Sequence, residues 1–139
     1  MAASVSTEKK QETTITTLLN VRRGAEAIDF YTRALGATIL FRMDGDDGSV
    51  VAHLAVGEGD FWLADESLPH QNFSPESLGG CSMRMVLLVD DPHTAFDQAI
   101  AAGASAIYPV RDESYGWRIG RIVDPFGHHW EIGKPLSEG

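Results

Sequence analysis

The sequence predicts an α+β fold of two tandem βαβββ modules that form a curved mixed sheet with helices on its convex face. Three observations carry this expectation: an internal repeat, two helical stretches that each end in Gly-Ala, and short strands set between turn residues. A shift of about 68 positions lays Val21 on Val89, Ala27 on Ala95, Gly59 on Gly127 and Trp62 on Trp130. Neither half is long enough to close a core alone, so the modules should pair, within one chain or by exchange with a second.

The elements follow in order. Residues 13–21 are rich in β-branched side chains and read as a strand. Residues 24–35 place Ala27, Ile28, Tyr31, Ala34 and Leu35 at helical spacing, and Gly36 stops the helix. Residues 37–43 form the second strand, Asp44 to Gly48 the turn, and 49–56 the third strand. The turn 57–60 then leads into the fourth strand, 61–65. The connection 66–80 carries two prolines and ends in Gly-Gly, with Phe73 as its anchor. The pattern restarts with a strand over 82–89 and a helix that has Asp90 or Asp91 as N-cap, Pro92 in its first turn and Gly103 at its end. Strands over 104–110, 117–123 and 128–132 complete the second module. The domain divisions are then a frayed segment 1–12, modules 13–65 and 81–135, and the linker 66–80, all within one structural domain.

Composition narrows the function classes. The hydrophobic share of 43% suits a globular domain, and 139 residues suffice for one core. The net charge of -9 argues against nucleic acid, which is bound by neutralising phosphates, and favours neutral or cationic small molecules. The single cysteine, Cys81, excludes an intramolecular disulfide, and residues 1–12 lack the apolar stretch of a signal peptide. No apolar run has the roughly 20 residues of a membrane span. The expected setting is the cytoplasm, with no membrane partner.

Strand alternation sorts the side chains between two faces. In the third strand Val50, Ala52 and Leu54 belong under the helix, leaving Val51 and His53 on the concave face. In the seventh, Trp117, Ile119 and Arg121 share that concave face. The last strand follows the turn Asp124-Pro125-Phe126-Gly127 and puts His129 and Glu131 there as well. Carried across by the repeat, the concave face also receives Phe61, Leu63, Asp65 and Arg84, while Trp62 and Trp130 fall to the core.

Two motifs, Ile28-Asp29-Phe30-Tyr31-Thr32-Arg33-Ala34-Leu35-Gly36-Ala37 and Asp124-Pro125-Phe126-Gly127-His128-His129-Trp130-Glu131, together with the repeat, resemble the vicinal oxygen chelate superfamily of glyoxalase I, bleomycin-resistance proteins and extradiol dioxygenases. The nearest likeness is the PhnB-like branch. The resemblance implies a divalent metal held from the first and fourth strands of each module. Those positions fall on Thr16, Leu63, Arg84 and Glu131, of which Glu131 alone is a metal donor of the usual kind. An ion pair between Arg84 and Glu131 is expected in place of the metal.

The expected ligand-binding residues are His53, Arg84, Trp117, Arg121, His129 and Glu131. The expected function is metal-free binding of a small aromatic or cationic compound, such as an antibiotic, by a homodimer. The alternative is a metal-dependent lyase, isomerase or dioxygenase whose relocated ligands are His53, His129 and Glu131.

Overall fold

A computed structural model describes residues 7–137. The order is β1 (Leu18–Val21), α1 (Gly24–Leu35), β2 (Thr38–Asp44), β3 (Val50–Val56), β4 (Gly59–Asp65), α2 (Pro75–Leu78), β5 (Arg84–Leu88), α3 (Pro92–Ala102), β6 (Ser105–Asp112), β7 (Trp117–Val123) and β8 (His129–Pro135). Each module contributes a four-stranded mixed sheet, in the orders β1-β4-β3-β2 and β5-β8-β7-β6. The first strand of each module pairs in parallel with the fourth, and the remaining pairs are antiparallel.

The long helices form where their caps allow. Gly36 takes φ 70°, so its N–H reaches Thr32 O and the N–H of Ala37 reaches Tyr31 O, satisfying the last carbonyls of α1. Asp91 caps α3 by accepting from Thr94 N at 3.2 Å, with Pro92 opening the helix. The first strand is shorter than its β-branched composition suggests. Residues 13–17 precede β1, and only Thr17 O bonds the sheet, accepting from Trp62 N. The expected frayed segment lies partly on residues 1–6, outside the described residues.

The connection between modules contains local structure that its composition concealed: a 3-10 turn over Leu68–His70 and the helical turn α2. Its anchor is not Phe73, which is 42% exposed, but the buried Ser74 and Pro75. Glu66 Oε1 accepts from Ser74 N, Ser74 Oγ and Ser77 Oγ, so the loop folds around one carboxylate.

A single apolar core joins the modules. Tyr31 of α1 makes ring contacts with Phe61 of the first sheet at 5.4 Å and with Trp130 of the second at 5.6 Å. Its hydroxyl donates to Asp124 in the turn before β8. Asp124 also accepts from Trp130 Nε1 and from the backbone N–H groups of Phe126 and His128. The buried His128 extends the link, since its Nε2 lies 2.9 Å from Asn20 O in β1 and must carry the proton to bond a carbonyl. Each sheet therefore turns its helix-facing side inward and leaves the other side open.

The register of β4 departs from the repeat. Cross-strand partners are His53 with Trp62 and Leu54 with Phe61 in the first sheet, against Arg121 with Glu131 and Ile122 with Trp130 in the second. Counted between equivalent rungs, the chain from Arg121 to Glu131 is one residue longer than that from His53 to Trp62, which reverses the face of every side chain carried across. Phe61 and Leu63 are accordingly core residues, 3% and 0% exposed, and Trp62 lies on the open face beside His53. Asp65 also leaves the open face: its carboxylate accepts from Gly24 N and Val50 N.

Candidate functional site

The open face of the second sheet gathers the polar residues that alternation assigned to it. Arg121 and Glu131 are direct cross-strand partners on β7 and β8, so their side chains meet above one rung of the ladder. Arg121 donates to Glu131 Oε1 from Nε at 3.3 Å and from Nη2 at 3.1 Å. Arg84, on β5, reaches the same oxygen only at 3.7 Å from Nε and makes no hydrogen bond. The expected partner of Glu131 is thus present but secondary. The two side chains of the primary pair are 21% and 18% exposed, enough shielding to strengthen their attraction relative to a surface pair.

Two recesses flank this pair. One, of about 350 Å³, is lined by Tyr108, Pro109, Tyr115, Ile119 and the ion pair Arg111–Glu113, with Arg121 and Glu131 as its floor. The Arg121 guanidinium lies 5.3 Å from the Tyr108 ring centroid, within cation–π range. The other, of about 360 Å³, is lined by Cys81, Ser82, Met83, Arg84, Val86, Arg121 and His129. Both volumes fall at the small end of the range for organic ligands. The His129 ring forms part of the wall of this second recess, with its Nδ1 buried and without a hydrogen-bond partner.

The structure thus brings together Arg84, Arg121, His129 and Glu131. It places His53 on the other sheet, stacked on Trp62 with ring centroids 4.3 Å apart and bonded through Nε2 to Asp60. Trp117 shares the Arg121 face but opens β7 opposite Pro135 and lines neither recess, whereas Tyr115, in the preceding turn, does. The residues that the sequence reading passed over are Trp62 and Tyr108. Trp62 was hidden by the unequal turns. Tyr108 lay in a strand of mixed pattern whose pairing with β7 is interrupted by irregularities on both sides of it.

The donor set does not fit a divalent metal at the positions that the sequence resemblance implies. With the register corrected, Trp62 replaces Leu63 there, beside Thr16, Arg84 and Glu131, and neither an indole nor a guanidinium ligates a hard or borderline cation. Glu131 has one oxygen occupied by Arg121. For the alternative set, His53 stands apart from His129 and Glu131 in a different sheet, and no group of three or more His, Cys, Asp or Glu side chains suited to a metal occurs among the described residues. No helix among the described residues is long and apolar enough to cross a membrane.

Comparison with known proteins agrees with this architecture. An uncharacterized protein of Mycobacterium bovis is 37% identical over 125 residues, covering 86% of this chain and 82% of the relative. TioX from Micromonospora sp. ML1 superposes with a TM-score of 0.70 at 24% identity, covering 90% of this chain and all of that one. A glyoxalase/bleomycin resistance protein/dioxygenase from Nocardioides matches at 25% identity and a TM-score of 0.62, covering 94% of this chain and 89% of its own. The model of the Glyoxalase/Bleomycin resistance protein/Dioxygenase superfamily matches residues 14–132, and with the paired βαβββ modules this shows that the chain belongs to that superfamily.

Proposed function

We propose that the protein binds a small aromatic molecule on the open face of its second sheet, without a metal, as a homodimer. The observation that carries this reading is the half-shielded Arg121–Glu131 pair at the meeting of two recesses, one of them walled by Tyr108 and Tyr115. An ion pair fixed in this way supplies orientation, and the aromatic walls supply apolar area, the combination expected of a ligand site. Glu131 Oε1 already accepts two hydrogen bonds from Arg121, which favours a positioning role over acid/base chemistry. In this proposal the chain is assigned to the PhnB-like branch, on the likeness of its two motifs, and set in the cytoplasm.

The dimer is supported by apolar side chains left uncovered on the edge strands of both sheets. Leu18 is 52% exposed and Leu88 61%, and Phe41 and Met43 of β2 are also open. Apolar exposure gathered in this way on a folded chain is the mark of a contact surface, and a second copy would cover it.

Light scattering with chromatography and isothermal titration test the two parts separately. The expected results are a dimer at micromolar concentration that Leu88→Glu converts to monomer, and saturable binding of planar aromatic compounds that Tyr108→Ala and Tyr115→Ala weaken. A monomer at all concentrations would remove the dimer. Equal binding by both tyrosine variants and the parent would move the site elsewhere.

A further inference from the structure

We propose that the lobe between β5 and β8 is an anion subsite, and that the ligand carries a carboxylate joined to its aromatic body. This rests on the ligand-binding reading above and names the charge of the ligand, in the opposite sense from the one the net charge of -9 suggests.

The local charges decide the sign. Arg84 and Arg121 both line the lobe, and none of its lining residues is a carboxylate. Glu131 lies at the boundary and neutralises one guanidinium, Arg121, with two hydrogen bonds. Arg84 keeps its positive charge without a hydrogen bond, because Glu131 Oε1 is 3.7 Å from its Nε. The remaining acid near the face, Glu113, is taken by Arg111 at 3.0 Å. The lobe therefore holds about one uncompensated positive charge, with the His129 ring in its wall. Distant carboxylates contribute little, since ionic screening acts over about 8–10 Å at physiological salt.

The shape agrees with the charge. Arg121 lines both recesses, so a group held by Arg84 and Arg121 leaves the rest of the ligand directed toward Tyr108 and Tyr115 in the neighbouring lobe. A guanidinium presents parallel N–H donors that match the two oxygens of a carboxylate.

Three isosteric probes test the inference by titration calorimetry on the full chain: 2-naphthoate, 2-naphthamide and 2-naphthamidine. The naphthoate is expected to bind at least about tenfold more tightly than the amide, with the amidine weakest. Arg84→Gln, at a largely exposed position, should erase the preference for naphthoate over the amide; thermal melting checks that it folds. Glu131→Gln should raise naphthoate affinity by removing the competing carboxylate. Amide or amidine binding as tight as naphthoate, or an Arg84→Gln variant that keeps the preference, overturns the anion subsite alone. Failure of all three probes to bind overturns the ligand site together with it.

Discussion

His53 and Trp62 occupy in the first sheet the cross-strand positions that Arg121 and Glu131 occupy in the second. The same rung of the fold thus carries a parallel ring stack in one module and an ion pair in the other. A duplicated scaffold has kept its backbone register at these positions and exchanged the interaction built on it. The His53 ring lies over the indole with an interplanar angle of 1° and is held from its edge by Asp60.

Removing that ring uncovers the indole. His53→Ala should shift tryptophan emission to the red and lower stability by about 0.5–1.5 kcal/mol, the range for an aromatic pair. Urea denaturation followed by fluorescence measures both, and an unchanged emission maximum would contradict the stack.

Asp124 is the most sensitive polar position in the core. Asp124→Ala strands the Tyr31 hydroxyl, the Trp130 indole N–H and two backbone N–H groups. Each buried donor left unpaired costs about 1–3 kcal/mol, and partial repacking should limit the total loss to roughly 3–5 kcal/mol. Tyr31→Phe removes one donor and spares the carboxylate its other three, so about 1–2 kcal/mol is expected. Chemical denaturation of the two variants gives the comparison, and equal losses would show that Asp124 acts only through Tyr31.

Alkali should unfold the protein through the same tyrosine. Burial, and next the charge of Asp124, raise the Tyr31 pKa well above its ordinary value of 10.0. The unfolded chain then loses its phenolic proton before the folded one does. The Tyr31 contribution is fully present below about pH 10 and declines above it. Midpoints measured from pH 8 to 11 should fall more steeply in the parent than in Tyr31→Phe.

Acid should act first on the connection between modules. Hydrogen bonds from Ser74 N, Ser77 Oγ and Ser74 Oγ, with Arg22 as a weaker influence, hold the Glu66 pKa at about 2 against an ordinary 4.5. Its stabilising contribution is present above about pH 4.5 and is lost as the pH falls toward 2. Hydrogen exchange at Ser77 and Leu78 should therefore quicken between pH 4.5 and 3 relative to β7 amides, and Glu66→Gln should show the faster exchange already at neutral pH.

Periodicity and turn chemistry made the modules legible because both are local. The bounds of α1 follow from the apolar spacing up to Leu35 and the left-handed φ that Gly36 supplies. The inward face of β3 and the outward face of β7 follow from alternation alone. The face of β4 was not legible, because it depends on how many residues the preceding turn spends, and Gly57-Glu58 reverses the chain in less length than Asp124-Pro125-Phe126-Gly127-His128. The one-residue difference between the His53–Trp62 and Arg121–Glu131 spans is why alternation carried across by the repeat assigns Trp62 to the core and Phe61 to the open face, the reverse of what the structure shows. It also concealed that Glu131 faces Arg121 directly, since a partner across a ladder is a property of register, not of composition. The Glu66 network was illegible for a related reason: a serine cluster in a loop becomes a binding site for a carboxylate only once the loop has closed.

The bond from Tyr31 to Asp124 has a consequence for the chain as a divisible object. The Tyr31 side chain of the first half reaches Phe126 and Trp130 of the second, and a turn of the second half supplies the acceptor for its hydroxyl. Each helix lies on its own sheet, but neither half alone keeps the shared core or this bond, so a backbone cut within the connection should leave two fragments that are unfolded apart and regain the native circular dichroism when mixed. Duplication has here produced not two independent copies but a lock and its key on one ribbon.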